Sequence, residues 1–165
     1  MKDRRATILA GTFSAAAAVL LLGGCSGDDD TTRQEQVATR GATVMPFDLT
    51  KTHHVFEQNA GGGVETVRAL DPKNTTQIAL IRSHLQAEAT KFAAGDFSDP
   101  TAIHGDKMPG VARLSAGASH LKIEYAELSD GAKITYASDD PVLVSAIHEW
   151  FNAQVMDHGQ HASSR

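Results

Sequence analysis

Between Leu121 and Tyr136 apolar and polar positions alternate. Leu121, Ile123 and Tyr125 are separated by Lys122 and Glu124, while Ile134 and Tyr136 alternate with Lys133 and Thr135. Successive side chains of a strand point to opposite faces, so this period of two predicts two half-buried strands. The turn formers "SDG" between them close a hairpin. After Asp140-Pro141 the period changes. Leu143, Ile147, Phe151 and His158 fall on one stripe with Trp150 beside them, which predicts an amphipathic helix ending at Gly159. The same order occurs earlier in the chain. A run beginning at His54, the glycine turn Ala60 to Gly63, a second run and Asp71-Pro72 precede a helical stripe of Ile78, Ile81, Leu85 and Phe92, which Gly95 ends. The two stretches predict an internal ββα repeat. The fold class is therefore α+β: a four-stranded antiparallel sheet with two long helices on one face. A connector of about 25 residues, "GDFSDPTAIHGDKMPGVARLSAGAS", joins the units and has room for two short helical pieces.

The beginning of the chain follows neither period. Lys2, Arg4 and Arg5 precede an apolar run of about 15 residues, short for a membrane span but of the length found in a signal peptide core. It ends in "LLGGC", which resembles the lipobox of bacterial lipoproteins. That resemblance implies cleavage before Cys25 and an acyl anchor, such as palmitate, on its thiol. Ser26 follows without the acidic residue that often retains lipoproteins at the inner membrane. Arg4-Arg5 raises twin-arginine export, but the residues after it fit the general secretory route better. From Ser26 to Met45 polar residues show no apolar period, which predicts a flexible tether spanning about 25 Å as a random coil. The predicted organisation is a signal peptide over 1–24, a lipidated tether over 25–45, a folded domain over 46–160 and a short tail over 161–165.

Charge and cysteine usage narrow the function. Of 15 Lys and Arg and 20 Asp and Glu, three basic residues and one acidic residue precede Cys25, so the mature chain carries a net charge of −7. Such a chain offers no basic face to nucleic acid. Cys25 is the only cysteine, which excludes internal disulfides, thiolate metal sites with several cysteines and c-type haem attachment.

The connector contains "AIHGDKMPG", with His104 and Met108 four residues apart. Imidazole suits copper in both oxidation states and thioether sulfur favours Cu(I); the same pair can ligate haem iron. His54 and His120 are expected to share the solvent face of the sheet and are candidate further ligands. The bland alternative is that Met108 packs under the loop and His104 caps a turn. His158, at a helix C-terminus before Gly159, suits the helix dipole there, and His84 and His148 are expected to be half-exposed. Glu57, Glu65, Asp96 and Asp99 could act as acids or bases, but nothing pairs them in sequence. Nucleophile-elbow, phosphate-loop, zinc-protease and dinucleotide signatures are absent from the chain.

The stretches "QIALIRSHLQAEATKFAAGDFSDPTAIHGDKMPG" and "DPVLVSAIHEWFNAQVMDHG" resemble a family of small exported bacterial lipoproteins of unknown function, some of which carry the name aspartate carbamoyltransferase. The resemblance covers most of the mature chain and implies that "IHGDKMPG" is a family pattern. Carbamoyltransferases resemble two packed α/β domains with an "S-T-R-T" phosphate loop. This chain contains no such loop, so the enzyme name does not carry over. The expectation is a lipid-anchored extracytoplasmic binding module of the cell envelope, with copper or haem as candidate cofactors. The alternative is an envelope protein-interaction or assembly module without a cofactor.

Overall fold

A computed structural model describes residues 26–165, so the signal peptide and the lipidation site at Cys25 lie outside the described residues. The fold is α+β. Strands β1 (Thr52–Asn59) and β2 (Gly62–Ala69) form the first hairpin, and β3 (Lys122–Leu128) and β4 (Gly131–Ala137) the second. The hairpins join side by side through an antiparallel β2–β4 pair, with Glu65 opposite Ile134. The expectation of four antiparallel strands is corrected by a fifth. Residues Ala162–Ser164 form β5, which pairs parallel with β1 and gives the order β3-β4-β2-β1-β5. The predicted tail is thus part of the sheet, and His53 Nε2 and Ser163 Oγ, 3.0 Å apart, tie the two strands together.

Helix α2 (Thr75–Ala93) follows the first hairpin and α5 (Pro141–His158) the second. Asp140 caps α5 by accepting from the Val142 amide at 2.8 Å, with Pro141 in the first turn. Asn74, rather than Asp71-Pro72, caps α2. Each long helix lies mainly over the other unit's strands: α2 over β3 and β4, α5 over β1 and β2. Tyr136 meets Phe92 of α2 and Trp150 and Phe151 of α5, so both helices cover one face of the sheet. The predicted stripe residues Ile78, Ile81, Leu85, Phe92, Leu143, Ile147 and Phe151 are all buried. The connector folds as two short helices, α3 (Ser98–His104) and α4 (Val111–Ala116). Gly110 between them has φ +80°, and a Cβ there would lie 2.1 Å from the Ala146 carbonyl oxygen. Only glycine lets this loop seat so close on α5.

The predicted tether is not a coil. Residues Ser26–Val44 form α1, which packs on α3 and α5. Its inner stripe is built from Gln34, Val37, Ala38, Gly41 and Val44, spaced three and four apart and buried or half-buried. Small residues hold the helix close, and Val37 is 1% exposed. Arg33 then grips Asp157 of α5 through two hydrogen bonds of 2.6 Å, and Gln34 Nε2 donates to the Met156 carbonyl at 3.1 Å. A bidentate guanidinium–carboxylate pair of this kind fixes orientation as well as adding energy. Among the described residues no helix is long and apolar enough to cross a membrane.

Candidate functional site: a cavity of histidines and carboxyls

Phe56, Val67, Ile134 and Tyr136 form most of the inner face of the sheet. Two ionisable residues interrupt it. His54 on β1 is 3% exposed and sits opposite Val67. Glu65 on β2, the central strand, stands between Phe56 and Ile134 across its two ladders. Strand alternation fixes both side chains inward, under the helices. Glu65 accepts a hydrogen bond of 2.8 Å from Tyr136 Oη.

A cavity of about 50 Å³ lies between this face and helices α2, α3 and α5. A single water needs roughly 10–15 Å³ on such a measure, so there is room for a ligand of a few non-hydrogen atoms. Helix α2 contributes His84 and Glu88, α3 contributes His104, and α5 contributes Trp150, Gln154 and His158. Three polar atoms of the wall are buried without a hydrogen-bond partner: His54 Nδ1, Trp150 Nε1 and Gln154 Oε1. Leaving such groups unpaired costs about 1–3 kcal/mol each, so a group of three around one cavity calls for an explanation.

Three histidines form a row at one end. The rings of His54 and His158 are 5.1 Å apart and nearly parallel, and His104 meets the edge of His158 at 5.1 Å. His104 Nδ1 donates to Asp157 Oδ2 at 2.8 Å, and Arg33 holds the same carboxylate from α1 while donating to the His104 carbonyl at 3.1 Å. Burial pushes the Asp157 carboxyl up, but the His104 and Arg33 hydrogen bonds outweigh it and keep it below the usual range. Burial also lowers His54 to about 3, with His53 and His84 adding to the effect, and His84 to about 4. His158 is depressed by burial and by the two neighbouring imidazoles. The rings of His54, His84 and His158 are therefore neutral at pH 7.

The carboxyls move the other way. Burial lifts Glu65 to about 7 against the Tyr136 hydrogen bond, and lifts Glu88 to about 7 with help from the hydrogen bond to Asp99. Lys91 is shared between Glu88, at 3.0 Å, and Asp99. Groups that titrate near neutrality inside a cleft mark a candidate site.

The sequence-level candidates fare differently. His104 ends α3, and Gly105 with φ +95° breaks the helix before Met108, so the two do not share a helical face. Met108 is 6% exposed and belongs to the hydrophobic core. His54 and His120 do not share a solvent face: His54 points inward, while His120 is exposed in a 3₁₀ turn before β3. Among the described residues no group of three or more His, Cys, Asp or Glu is arranged to hold a metal ion. Haem is far larger than the cavity. His158 and Glu65, read from sequence as a helix cap and an unpaired acid, belong to the site instead. No family model, curated protein or solved structure matches the chain.

Proposed function

We propose that this protein is a lipid-anchored, extracytoplasmic binding module of the cell envelope whose ligand site is the cavity between the sheet and helices α2, α3 and α5. The observation that carries the reading is the set of unpartnered polar atoms on residues that line the cavity from both sides, His54 Nδ1 from the sheet and Trp150 Nε1 and Gln154 Oε1 from α5. A core built only for stability would place apolar atoms there. The large exposed apolar side chains, Leu70, Val142 and Met156, sit singly on separate elements or at opposite ends of α5. Among the described residues these side chains form no contiguous apolar patch, which favours small-ligand binding over an assembly role. The lipoprotein part rests on the "LLGGC" signal. With α1 beginning at Ser26, the anchor would hold the domain close to the bilayer instead of on a long tether. Two ββα stretches joined through the β2–β4 pair support reading the domain as two copies of one unit.

The chain has one tryptophan, Trp150, and it lines the cavity. Its emission therefore reads occupancy directly. A panel of small cations, anions and neutral amides should include at least one class that shifts Trp150 emission saturably, and Gln154→Leu should weaken that response. A flat response to every class would remove the reading. Membrane attachment is checked separately: Cys25→Ala should leave uncleaved, unacylated precursor, and normal processing of that variant would contradict the lipoprotein assignment.

Copper is a second reading, favoured by one observation. Asp157 holds Nδ1 of His104, the arrangement in which a carboxylate orients a ligating imidazole so that Nε2 faces the metal. His158 lies beside it. Metal analysis of the purified protein, with His104→Ala and His158→Ala, separates this reading from the first.

A further inference from the structure

We infer that the cavity ligand is a small donor-rich organic cation, a primary ammonium of a few non-hydrogen atoms, held by Glu65 and Glu88 in the cavity that Trp150 lines. The inference rests on the cavity being a ligand site and names the class of ligand.

Charge and hydrogen-bonding capacity both lead there. Glu65 accepts from Tyr136 of β4 and shares the cavity lining with His54 from β1, His84 and Glu88 from α2, Asp99 and His104 from α3, and His158 from α5. The only ammonium engaged with these carboxyls among the described residues is Lys91, and it is shared between Glu88 and Asp99. No described Lys or Arg pairs with Glu65, whose hydrogen-bond partner is the neutral Tyr136 hydroxyl. The set has more negative than positive groups; burial lifts both glutamates, and Asp99 adds to the effect at Glu88. A ligand with positive charge supplies what the protein leaves out. An anion would add to the repulsion.

The acceptors agree. Glu65, Glu88 and the unpartnered Gln154 Oε1 offer oxygen lone pairs, and neutral His54 offers a ring nitrogen, against one unpartnered donor, Trp150 Nε1. An –NH₃⁺ group has three donors and no acceptor, which matches this excess. Trp150 and Phe92, 5.6 Å apart and edge to face, add apolar lining for the carbon end of such a ligand. A bare transition metal matches less well, because the nearly parallel rings of His54 and His158 do not aim lone pairs at one centre.

The test is calorimetric titration of the full-length protein with methylammonium chloride at pH 8, where both glutamates have lost their protons, beside sodium acetate, acetamide and potassium chloride. Glu65→Gln keeps shape and removes charge; Glu127→Gln, an exposed residue on β3, is the control. Saturable one-to-one binding of methylammonium is expected, weakened at least tenfold in Glu65→Gln and unchanged in Glu127→Gln, with no heat from acetate or acetamide. Trp150 emission should saturate at the same concentration. Methylammonium binding that is equal in Glu65→Gln overturns the inference. So does a cavity, reported by Trp150, that takes acetate, acetamide or potassium in preference, although the site itself would then stand. If no probe produces heat or shifts Trp150 emission, the inference and the site reading fall together.

Discussion

The layer between sheet and helices has two halves with opposite character. In one, Phe92, Phe97, Tyr136, Trp150 and Phe151 pack in stacked, tilted and edge-to-face pairs with ring centroids 4.7–6.1 Å apart. In the other, His54, His104 and His158 form a row beside Glu65 and Glu88, around a cavity and three unpartnered polar atoms. The same helices and strands supply both. Packing a small domain explains the aromatic half. It does not explain the polar half, where the cavity and the unpartnered atoms oppose stability. Trp150 belongs to both, with its ring in the aromatic cluster and its N–H on the cavity wall.

The difference gives each half its own response to substitution. The largest expected loss is in the aromatic half. Phe151→Ala should destabilise by about 3–5 kcal/mol and Ile147→Ala by about 2–5 kcal/mol in urea denaturation, since both are fully buried and would leave cavities. His54→Phe, also buried, should change stability by less than about 1.5 kcal/mol, because removing the unpartnered Nδ1 offsets losing the bond to the His161 backbone. Equal losses at Phe151 and His54 would break the comparison.

A second loss is expected where α1 meets the polar half. Asp157→Ala strands the His104 Nδ1 proton in a site where the ring is 1% exposed, and should cost about 1–3 kcal/mol. Arg33→Ala should cost less, because Arg33 is half-exposed and His104 still partners the carboxylate. A chain lacking residues 26–45 should melt well below the full mature chain, as it loses this grip and the burial of Val37. Unchanged melting would mean α1 is only a tether.

The pH dependence sharpens the contrast within the polar half. The folded protein holds Glu65 near 7, above its ordinary 4.5. Its protonated form contributes stability below about 4.5, and that contribution disappears as pH rises through 7. Glu65→Gln should therefore gain on wild type between pH 4.5 and 7 and then level off. His54, lowered from 6.5 to about 3, has the opposite sign. Its contribution is present above 6.5 and fades as pH falls toward 3, so His54→Gln should gain on wild type over that acid range. Urea midpoints across pH 3–8 for the three proteins check both slopes. The smallest effects belong outside both halves: Lys133→Ala and His120→Ala should each stay within about 0.5 kcal/mol.

How much of this could be read in the sequence depends on the range of the interactions. The stripe of Leu143, Ile147 and Phe151 was legible because helix period and burial are local. Strand β5 was not, since three residues carry no period and their partners on β1 lie more than a hundred positions away. Helix α1 was hidden by its narrow docking stripe, where Ala38 and Gly41 give no hydrophobic signal. His104 stood out as a ligand type, but Asp157, which orients it, is 53 residues distant. Glu65 was visible as an acid; its partner Tyr136 is 71 residues away and meets it only through sheet register. His120 was misplaced because the strand begins at Lys122 and leaves it in the preceding turn.

The central claim is that the polar wall is kept for a ligand and not for the fold. It is tested most directly by making the wall apolar, with His54→Phe, Glu65→Leu and Gln154→Leu combined, and following urea denaturation through Trp150 emission. A cooperative transition with a midpoint at or above that of wild type is expected, together with loss of any ligand-dependent emission change. A lower midpoint, or loss of the cooperative transition, would mean that the histidines and carboxyls hold the structure together and that the cavity is part of the core.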